Sequence, residues 1–358
     1  MQEIHIRKDD LRVARVADVT PAALADGAAR LALELFSLTS NNVTYASMGE
    51  GTLGYWDFFP GPEGWGRLPV WGFATVTESR APGVQPGDRF YGYYPISESL
   101  DVFPAKASPR GFFDGAPHRR EKAAVYNQYV NVGADPAYDA AFEPEQTIFR
   151  PLYGTGWWAA DCVMQGEPRP RSVVMSSASS KTALATAHQL RRLGDARLVA
   201  LTSARNDAYV RESGIYHETL AYEAVGTLRA PAPAVYLDFL GRESLTAAVH
   251  RALGANLARS ILVGATDWGS KPGGVVLPAA ALPGPRPEFF FVPDYFAVRM
   301  KADASLGAAM VRDLRAFYAA SRSFVTAHRL TGTDAIIESW SRLLGGSVAP
   351  REGLVLSF

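Results

Sequence analysis

Residues 171–206, RSVVMSSASSKTALATAHQLRRLGDARLVALTSARN, decide the fold. Ser172-Val173-Val174-Met175 is an apolar run too short for a helix and bounded by small polar residues, so it reads as a strand. Residues 176–181 follow, all serine or alanine apart from Lys181. Apolar residues then recur at helical spacing (Ala183, Ala187, Leu190, Leu193) until Gly194 stops the pattern. Leu198-Val199-Ala200-Leu201 is a second short run and ends in Thr202-Ser203-Ala204-Arg205-Asn206. Strand, tight turn, helix and strand make a βαβ unit. The first turn of such a unit aims backbone N–H groups past the strand end.

That turn lacks the glycines of a dinucleotide fingerprint. Ser177 and Ser180 stand where small residues are needed, and Ala183 replaces the last glycine, where helix must lie close to strand. Ser179-Ser180-Lys181-Thr182 does not make a triphosphate loop, because the residue five before Ser180 is Met175 and no glycine precedes the lysine. An ordinary βα turn fits the same residues. The end of the second strand separates the two readings. An acid there would accept from the ribose 2′-hydroxyl of NAD, but the residues present are Thr202, Ser203, Arg205 and Asn206. Hydroxyls and a guanidinium suit a 2′-phosphate, which a carboxylate would repel. The expected cofactor is NADPH; the competing reading has Arg205 facing solvent at a helix start.

Composition narrows the class further. A chain of 358 residues has room for two or three domains, and 47% hydrophobic with 20% charged residues describes a globular protein. Lys+Arg and Asp+Glu both number 36, so no net field draws it to nucleic acid or an acidic membrane. A single cysteine, Cys162, excludes an internal disulfide and a multi-cysteine zinc lobe. The opening MQEIHIRKDD is charged where a signal peptide needs an apolar core, and no apolar run is long enough to span a bilayer. A cytoplasmic protein is expected, with a small-molecule partner.

Residues 1–150 read as β-rich. Residues 31–38 alternate over much of their length, PGPEGWGRLP (60–69) reads as surface loop, and residues 70–77 read as a strand. Pro86-Gly87-Asp88 is a turn before a strand that begins at Arg89. Residues 101–121 read as loop or insertion, 124–130 as a strand, 133–147 as the crossover between domains and 155–164 as a helix. Short strands at this spacing suggest a small barrel-like domain. Beyond 206, strands at 216–220, 234–239 and 260–264 alternate with helices ending near 213 and 253, which predicts a parallel sheet covered on both faces. Residues 271–287 read as an apolar loop. Leu306, Met310, Leu314, Phe317 and Phe324 share a helix face, and a helix at 334–344 and a strand at 353–358 complete the chain.

This order resembles the medium-chain dehydrogenase/reductase superfamily, on three local matches. GVQPGDRFYG (83–92) is similar to that superfamily's G-x-x-x-G-D-x-V-x-G element. Tyr153-Gly154-Thr155-Gly156-Trp157 stands where it places a residue near the nicotinamide. VALTSARN (199–206) with Ala221-Tyr222-Glu223 resembles the quinone-reductase branch, in which such a tyrosine lies against the adenine. NNVTYA, GYWDFFP, PVWGFATV and VYNQY together resemble the DUF2855 family across nearly the whole chain. The resemblance implies an α/β protein with a β-rich, GroES-like substrate domain at 1–150, a Rossmann-type cofactor domain at 151–300, and a segment from about 300 to 358 returning to the first. It also implies a homodimer paired through the sheet edge of the cofactor domain; the apolar loop 271–287 and Phe289-Phe290-Phe291-Val292 are candidate contributors to that edge or to the substrate mouth.

Carried onto this chain, the resemblance implies cofactor contacts from Tyr153, Thr155, Ser177, Ser179, Ser180, Lys181, Thr182, Ser203, Arg205, Asn206, Tyr222, Gly264 and Ala265. Reducing an enone or quinone leaves charge on an oxygen that a tyrosine hydroxyl can meet. Asn42, Tyr45 and Tyr55, in the segment that faces the cleft in the resembling family, are the catalytic candidates; core aromatics are the competing reading. The Trp- and Phe-rich patches around Trp56 and Trp71 suit an apolar or aromatic carbonyl substrate. Three functions stay open: an NADPH-dependent reductase of activated double bonds or quinones, a non-catalytic NADP(H)-binding sensor or structural protein, and an enzyme using the turn for another phosphate-bearing ligand.

Zinc-dependent relatives carry Gly-His-Glu where this chain has Gly72-Phe73-Ala74, and the six histidines show no short ligand spacing. The purified protein should therefore hold no stoichiometric zinc. Elemental analysis finding about one tightly held zinc per chain would refute this, since a catalytic site needs around three protein ligands.

Overall fold

Alternation makes residues 29–35 a half-buried strand: Ala29, Leu31, Leu33 and Leu35 turn inward while Arg30, Ala32 and Glu34 do not. This computed structural model describes residues 1–51, 53–263 and 282–358. The chain divides into two units, Met1–Ile148 with Thr326–Phe358, and Phe149–Val325.

The first unit runs β1 (Gln2–Arg7), β2 (Ala14–Asp18), β3 (Ala29–Leu38), α1 (Ser40–Ser47), β4 (Trp65–Arg67), β5 (Pro69–Ser79), β6 (Arg89–Pro95), β7 (Ser99–Val102), β8 (Pro104–Ser108), β9 (Gly111–Asp114), α2 (Ala124–Asn127) and β10 (Gln128–Asn131). Helix α3 (Glu143–Gln165) leads into the second, with β11 (Ser172–Met175), α4 (Lys181–Leu193), β12 (Arg197–Thr202), α5 (Asp207–Glu212), β13 (Glu218–Ala221), β14 (Ala234–Asp238), α6 (Glu243–Leu253), β15 (Leu257–Leu262), β16 (Glu288–Phe289), α7 (Val292–Ala302) and α8 (Leu306–Ser321). β17 (Thr326–Thr331), α9 (Thr333–Leu344) and β18 (Glu352–Ser357) return to the first unit.

The first unit holds two sheets, β2-β1-β4 and the larger β17-β18-β3-β5-β6-β10-β9-β8, with β7 also on β3. The C-terminal strand enters as β18, antiparallel to β3 with Val355 opposite Ser37, while β17 pairs with it in parallel. β5 and β3 lie so close at Gly72 that a Cβ there would sit 2.3 Å from the Leu35 carbonyl oxygen.

Several expectations need correction here. Residues 101–121 are not a loop: they carry β8 and β9, held because Phe112 stacks on Tyr129 at 4.9 Å and the buried Arg119 pairs with Asp114 at 2.9 Å. Residues 124–127 form a helical turn before the strand begins at Gln128. The Asn127 side chain accepts from Arg119 Nε and donates to the Arg119 carbonyl, which holds the chain in that turn. The helix expected at 155 starts at Glu143, with Pro144 in its first turn, where the missing N–H costs nothing, and with Pro151 inside it. The returning segment begins at Thr326 and not near 300, because α8 belongs to the second unit: Phe317 packs at 4.9 Å on Tyr153 and at 5.0 Å on Phe149. Phe324 lies past the end of α8 but still 5.9 Å from Phe317. The strands at 2–7 and 14–18 went unread, since charged residues mask their alternation.

In the second unit six parallel strands lie in the order β13-β12-β11-β14-β15-β16. Numbered along the unit, that is 3-2-1-4-5-6, the order of the Rossmann sheet. β11 and β14 are buried along their whole length, as strands covered on both faces must be. Val199 and Leu201 join a core with Leu245, Val249 and Leu253 of α6, while Ala200 turns to Val210 of α5. Gly156 of α3 meets α4, where a Cβ would come within 3.0 Å of the Thr186 N–H. Most of the apolar stretch at 271–287 lies outside the described residues.

Candidate functional site

The 3-2-1-4-5-6 order has its switch point between β11 and β14, whose connections leave in opposite directions and open a crevice at their carboxyl ends. The β11–α4 turn lies there. Its Ser177 has φ +48°, a left-handed conformation rare outside glycine. The Ser177 N–H donates to the Tyr222 hydroxyl at 3.2 Å, and Tyr222 in turn lies beneath the Arg242 guanidinium at 5.9 Å. Ser180 is the N-cap of α4, accepting from the Ala183 N–H at 3.2 Å, and Lys181 is the first helical residue. The helix thus points its positive end at the crevice.

The neighbouring strand supplies the fixed wall. The buried Asp238 carboxylate at the end of β14 accepts from Ser176 Oγ at 2.6 Å, Leu240 N–H at 2.9 Å, Gly241 N–H at 3.0 Å and Thr246 Oγ1 at 2.8 Å. Ser176 Oγ accepts in return from the Phe239 N–H at 2.8 Å. One carboxylate therefore ties the β11 turn to the β14 turn across the switch point. The sequence reading missed both residues; the available signal was an acid closing the apolar run at 234–237.

At the end of β12 the structure brings Ser203, Arg205 and Asn206 into one turn, and Asn206 Nδ2 donates to Ser179 Oγ at 3.0 Å. That bond joins the two segments expected to share a ligand. Arg205 is exposed and has no ion pair among the described residues. Thr202 is fully buried, its hydroxyl without a hydrogen-bond partner among the described residues. Lys181, the Ser179 hydroxyl and the first turn of α4 can hold one anion, and Arg205 a second.

Tyr153 is fully buried, donates to Gln189 Oε1 at 3.4 Å and packs on Phe317, so its ring is part of the core. Thr155 is half-buried on α3 and Thr182 half-buried in the first turn of α4. Gly264 and Ala265 lie outside the described residues.

In the first unit, Asn42 is a structural cap and not a free amide. Its Oδ1 accepts from the Thr39 N–H at 2.8 Å and its Nδ2 donates to the Pro69 carbonyl at 2.9 Å. Tyr45 and Tyr55 do come together, with rings 4.6 Å apart, within a cluster that adds Trp71, Tyr93 and Tyr126. Tyr45 Oη accepts from Asn41 Nδ2 and Trp71 Nε1, and Tyr55 Oη meets Tyr126 Oη at 3.2 Å. Burial pushes both the Tyr45 and Tyr55 hydroxyls above the ordinary phenol range, so each stays protonated near neutrality. Among the described residues no three His, Cys, Asp or Glu side chains gather as a metal site, and no helix is long and apolar enough to cross a membrane.

A family model described as "Protein of unknown function (DUF2855)" matches residues 36–349. No curated protein matches the sequence. Solved structures do share its fold. CurA from Vibrio vulnificus, in complex with NADPH, superposes with a TM-score of 0.62 at 12% identity, covering 100% of this chain and 99% of that one. The yhdH oxidoreductase from Salmonella enterica, in complex with NADP, gives 0.57 at 17% identity over 100% of both chains. JamJ enoyl reductase in its apo form gives 0.61 at 12% identity, over 99% and 98%. The chain thus shares the GroES-like plus Rossmann fold of the medium-chain reductases.

The left-handed Ser177 is the most exacting feature of the turn. A side chain in that conformation costs about 1–2 kcal/mol, which glycine does not incur. Ser177→Gly should therefore keep or raise stability, and the β-branched Ser177→Val should lower it by more than about 1 kcal/mol. Denaturant unfolding with the valine variant as stable as wild type would show the strain is not there.

Proposed function

We propose that this chain, which belongs to the DUF2855 family, is a zinc-independent, NADPH-dependent oxidoreductase that reduces an activated double bond (enone or enoyl) or a quinone. The end of β12 carries the reading. No carboxylate stands there, and an exposed Arg205, without an ion pair among the described residues, sits in the same turn as an Asn206 that reaches the β11–α4 turn. Two of the structures with this fold hold NADPH or NADP, which supports the choice of ligand. Ser179, Ser180, Lys181 and the first turn of α4 would hold the diphosphate, Ser203, Arg205 and Asn206 the 2′-phosphate, and Tyr222 the adenine. A bound reduced nicotinamide supplies hydride. The chain's own part is to orient it, exclude water and protonate the substrate oxygen, for which the Tyr45 and Tyr55 cluster is suited.

One observation favours a second reading, a non-catalytic NADP(H)-binding sensor or structural protein. Tyr222 already accepts the Ser177 N–H, a donor that a fingerprint turn would offer to the diphosphate.

Titration of the protein with NADPH and NADH, followed by nicotinamide fluorescence, tests the cofactor. Wild type should prefer NADPH, and Arg205→Ala should lose about 1.5–3 kcal/mol of NADPH affinity, the worth of a charge-assisted contact. Equal affinities in wild type, or an unmoved NADPH affinity in the variant, would overturn the assignment. Turnover on a panel of enones and quinones then decides between the enzyme and the sensor.

We also propose a homodimer through the sheet edge at β16, the last strand of the sheet among the described residues, where Phe289 and Phe291 are 46% and 49% exposed. A monomer mass by light scattering at micromolar concentration would contradict it.

A further inference from the structure

The backbone N–H groups of the β11–α4 turn are held in two ways. Ser176 donates to the Leu237 carbonyl at 3.1 Å and Ala178 to the Leu201 carbonyl at 3.2 Å, both on neighbouring strands. Ser180 donates to the Ser177 carbonyl at 2.8 Å, inside the turn itself. Carbonyls fixed in a sheet cannot turn away. The Ser177 N–H goes instead to a side chain, the Tyr222 hydroxyl at 3.2 Å. A phenol leaves by rotating its side-chain torsions, so this bond can be released without opening the sheet. The turn also keeps its shape without it. Tyr216 Oη donates to the Ala178 carbonyl at 3.0 Å, and Asp238 holds Ser176 Oγ at 2.6 Å. The half-buried Tyr222 ring packs on the core that holds Val199 and Leu201, with the Arg242 guanidinium 5.9 Å from its centre. Burial raises its hydroxyl above the ordinary phenol range, so near neutrality Tyr222 is an uncharged acceptor.

We propose that Tyr222 is an autoinhibitory latch: its hydroxyl and a dinucleotide diphosphate compete for the Ser177 N–H, and the ligand binds by displacing the phenol. The proposal rests on the NADPH reading above. A turn at this point of the fold offers its N–H groups to the diphosphate, and one N–H serves one acceptor at a time. A phosphate oxygen carries charge and accepts about twice as strongly as an uncharged hydroxyl, so the exchange runs towards the ligand. It still costs the bond that was there. Affinity is therefore lowered by the share of molecules in which the latch is closed, and opening it raises affinity by the same factor. Because Tyr216, Asp238 and the Leu201 carbonyl hold the turn, losing the Tyr222 hydroxyl frees the N–H and does not loosen the loop. NADPH and NADH share the diphosphate, so the latch weakens both equally and leaves the choice between them to the end of β12.

Tyr222→Phe removes the hydroxyl and keeps the ring on the core, so it isolates the latch. NADPH and NADH should each bind the variant about two- to tenfold more tightly, the worth of one uncharged hydrogen bond, with the preference between them as in wild type. 2′-AMP carries no diphosphate and should bind both forms alike. The contact is also read with no nucleotide present. Exchange of the Ser177 N–H with solvent, followed by NMR on protein labelled with ¹⁵N-serine and assigned by its loss in Ser177→Gly, should quicken in Tyr222→Phe by a similar factor. Exchange that does not quicken would mean the bond is not there and would overturn the latch. Dinucleotide binding that stays the same or weakens would overturn it too, and weakening would make the hydroxyl a brace of the turn. An equal gain for 2′-AMP would place the effect at the adenine and sink the competition. If neither wild type nor variant binds either dinucleotide, the NADPH reading falls and displacement falls with it; if wild type binds and the variant gains nothing, the latch falls and the NADPH reading stands.

Discussion

A buried carboxylate sets the geometry on which the cofactor unit depends. Parallel strands β11 and β14 diverge at their carboxyl ends, and their turns need a common anchor if the crevice between them is to keep one shape. Asp238 supplies it, taking the Ser176 hydroxyl from one turn and the Leu240 and Gly241 N–H groups from the other. Removing a carboxylate from water costs several kcal/mol, and hydrogen bonds to a charged acceptor return about 1.5–3 kcal/mol each. The bonds made to Asp238 are enough to offset burial, and losing any one would leave a charge or a backbone group unsatisfied. The outcome is a rigid crevice with little net cost in stability.

That anchor explains how the turn manages without glycine. In the Rossmann fingerprint, glycines allow the backbone to bend and to approach the ligand. Here Ser176 is held by Asp238, and Ser177 is held in a left-handed conformation with its N–H on Tyr222. Strain at one residue is tolerated because its neighbours are over-determined, a pattern that concentrates at ligand sites.

The first unit shows the same trade between structure and chemistry. Asn42 spends its amide on capping α1 and on Pro69, which frees Asn41, one residue earlier, to face Tyr45. The family resemblance singled out Asn42, Tyr45 and Tyr55 as one group. It could not tell which asparagine caps the helix, because adjacent helical residues point about 100° apart and the start of α1 was unread. Tyr126 was read as part of a strand, so its place beside Tyr45 and Tyr55, some seventy to eighty residues away in the chain, was invisible.

The sequence by itself determined the second unit's class, a parallel sheet covered on both faces. Its short apolar runs, ended by small residues and separated by helical spacing, allow one parallel sheet, and the composition at 202–206 allows no acid on the ribose. Local pattern suffices there because buried parallel strands are apolar throughout. Tertiary structure alone decided the rest. β8 and β9 exist because Arg119 and Tyr129 hold them, α8 joins the cofactor unit because Phe317 finds Phe149 and Tyr153, and Tyr153 is core because Gln189 and Phe317 enclose it. Each of these depends on a partner beyond its own run, from several residues away for Arg119 and Asp114 to more than a hundred for Phe317 and Phe149, or on which face of a helix is covered. Neither is written in the residues next to it.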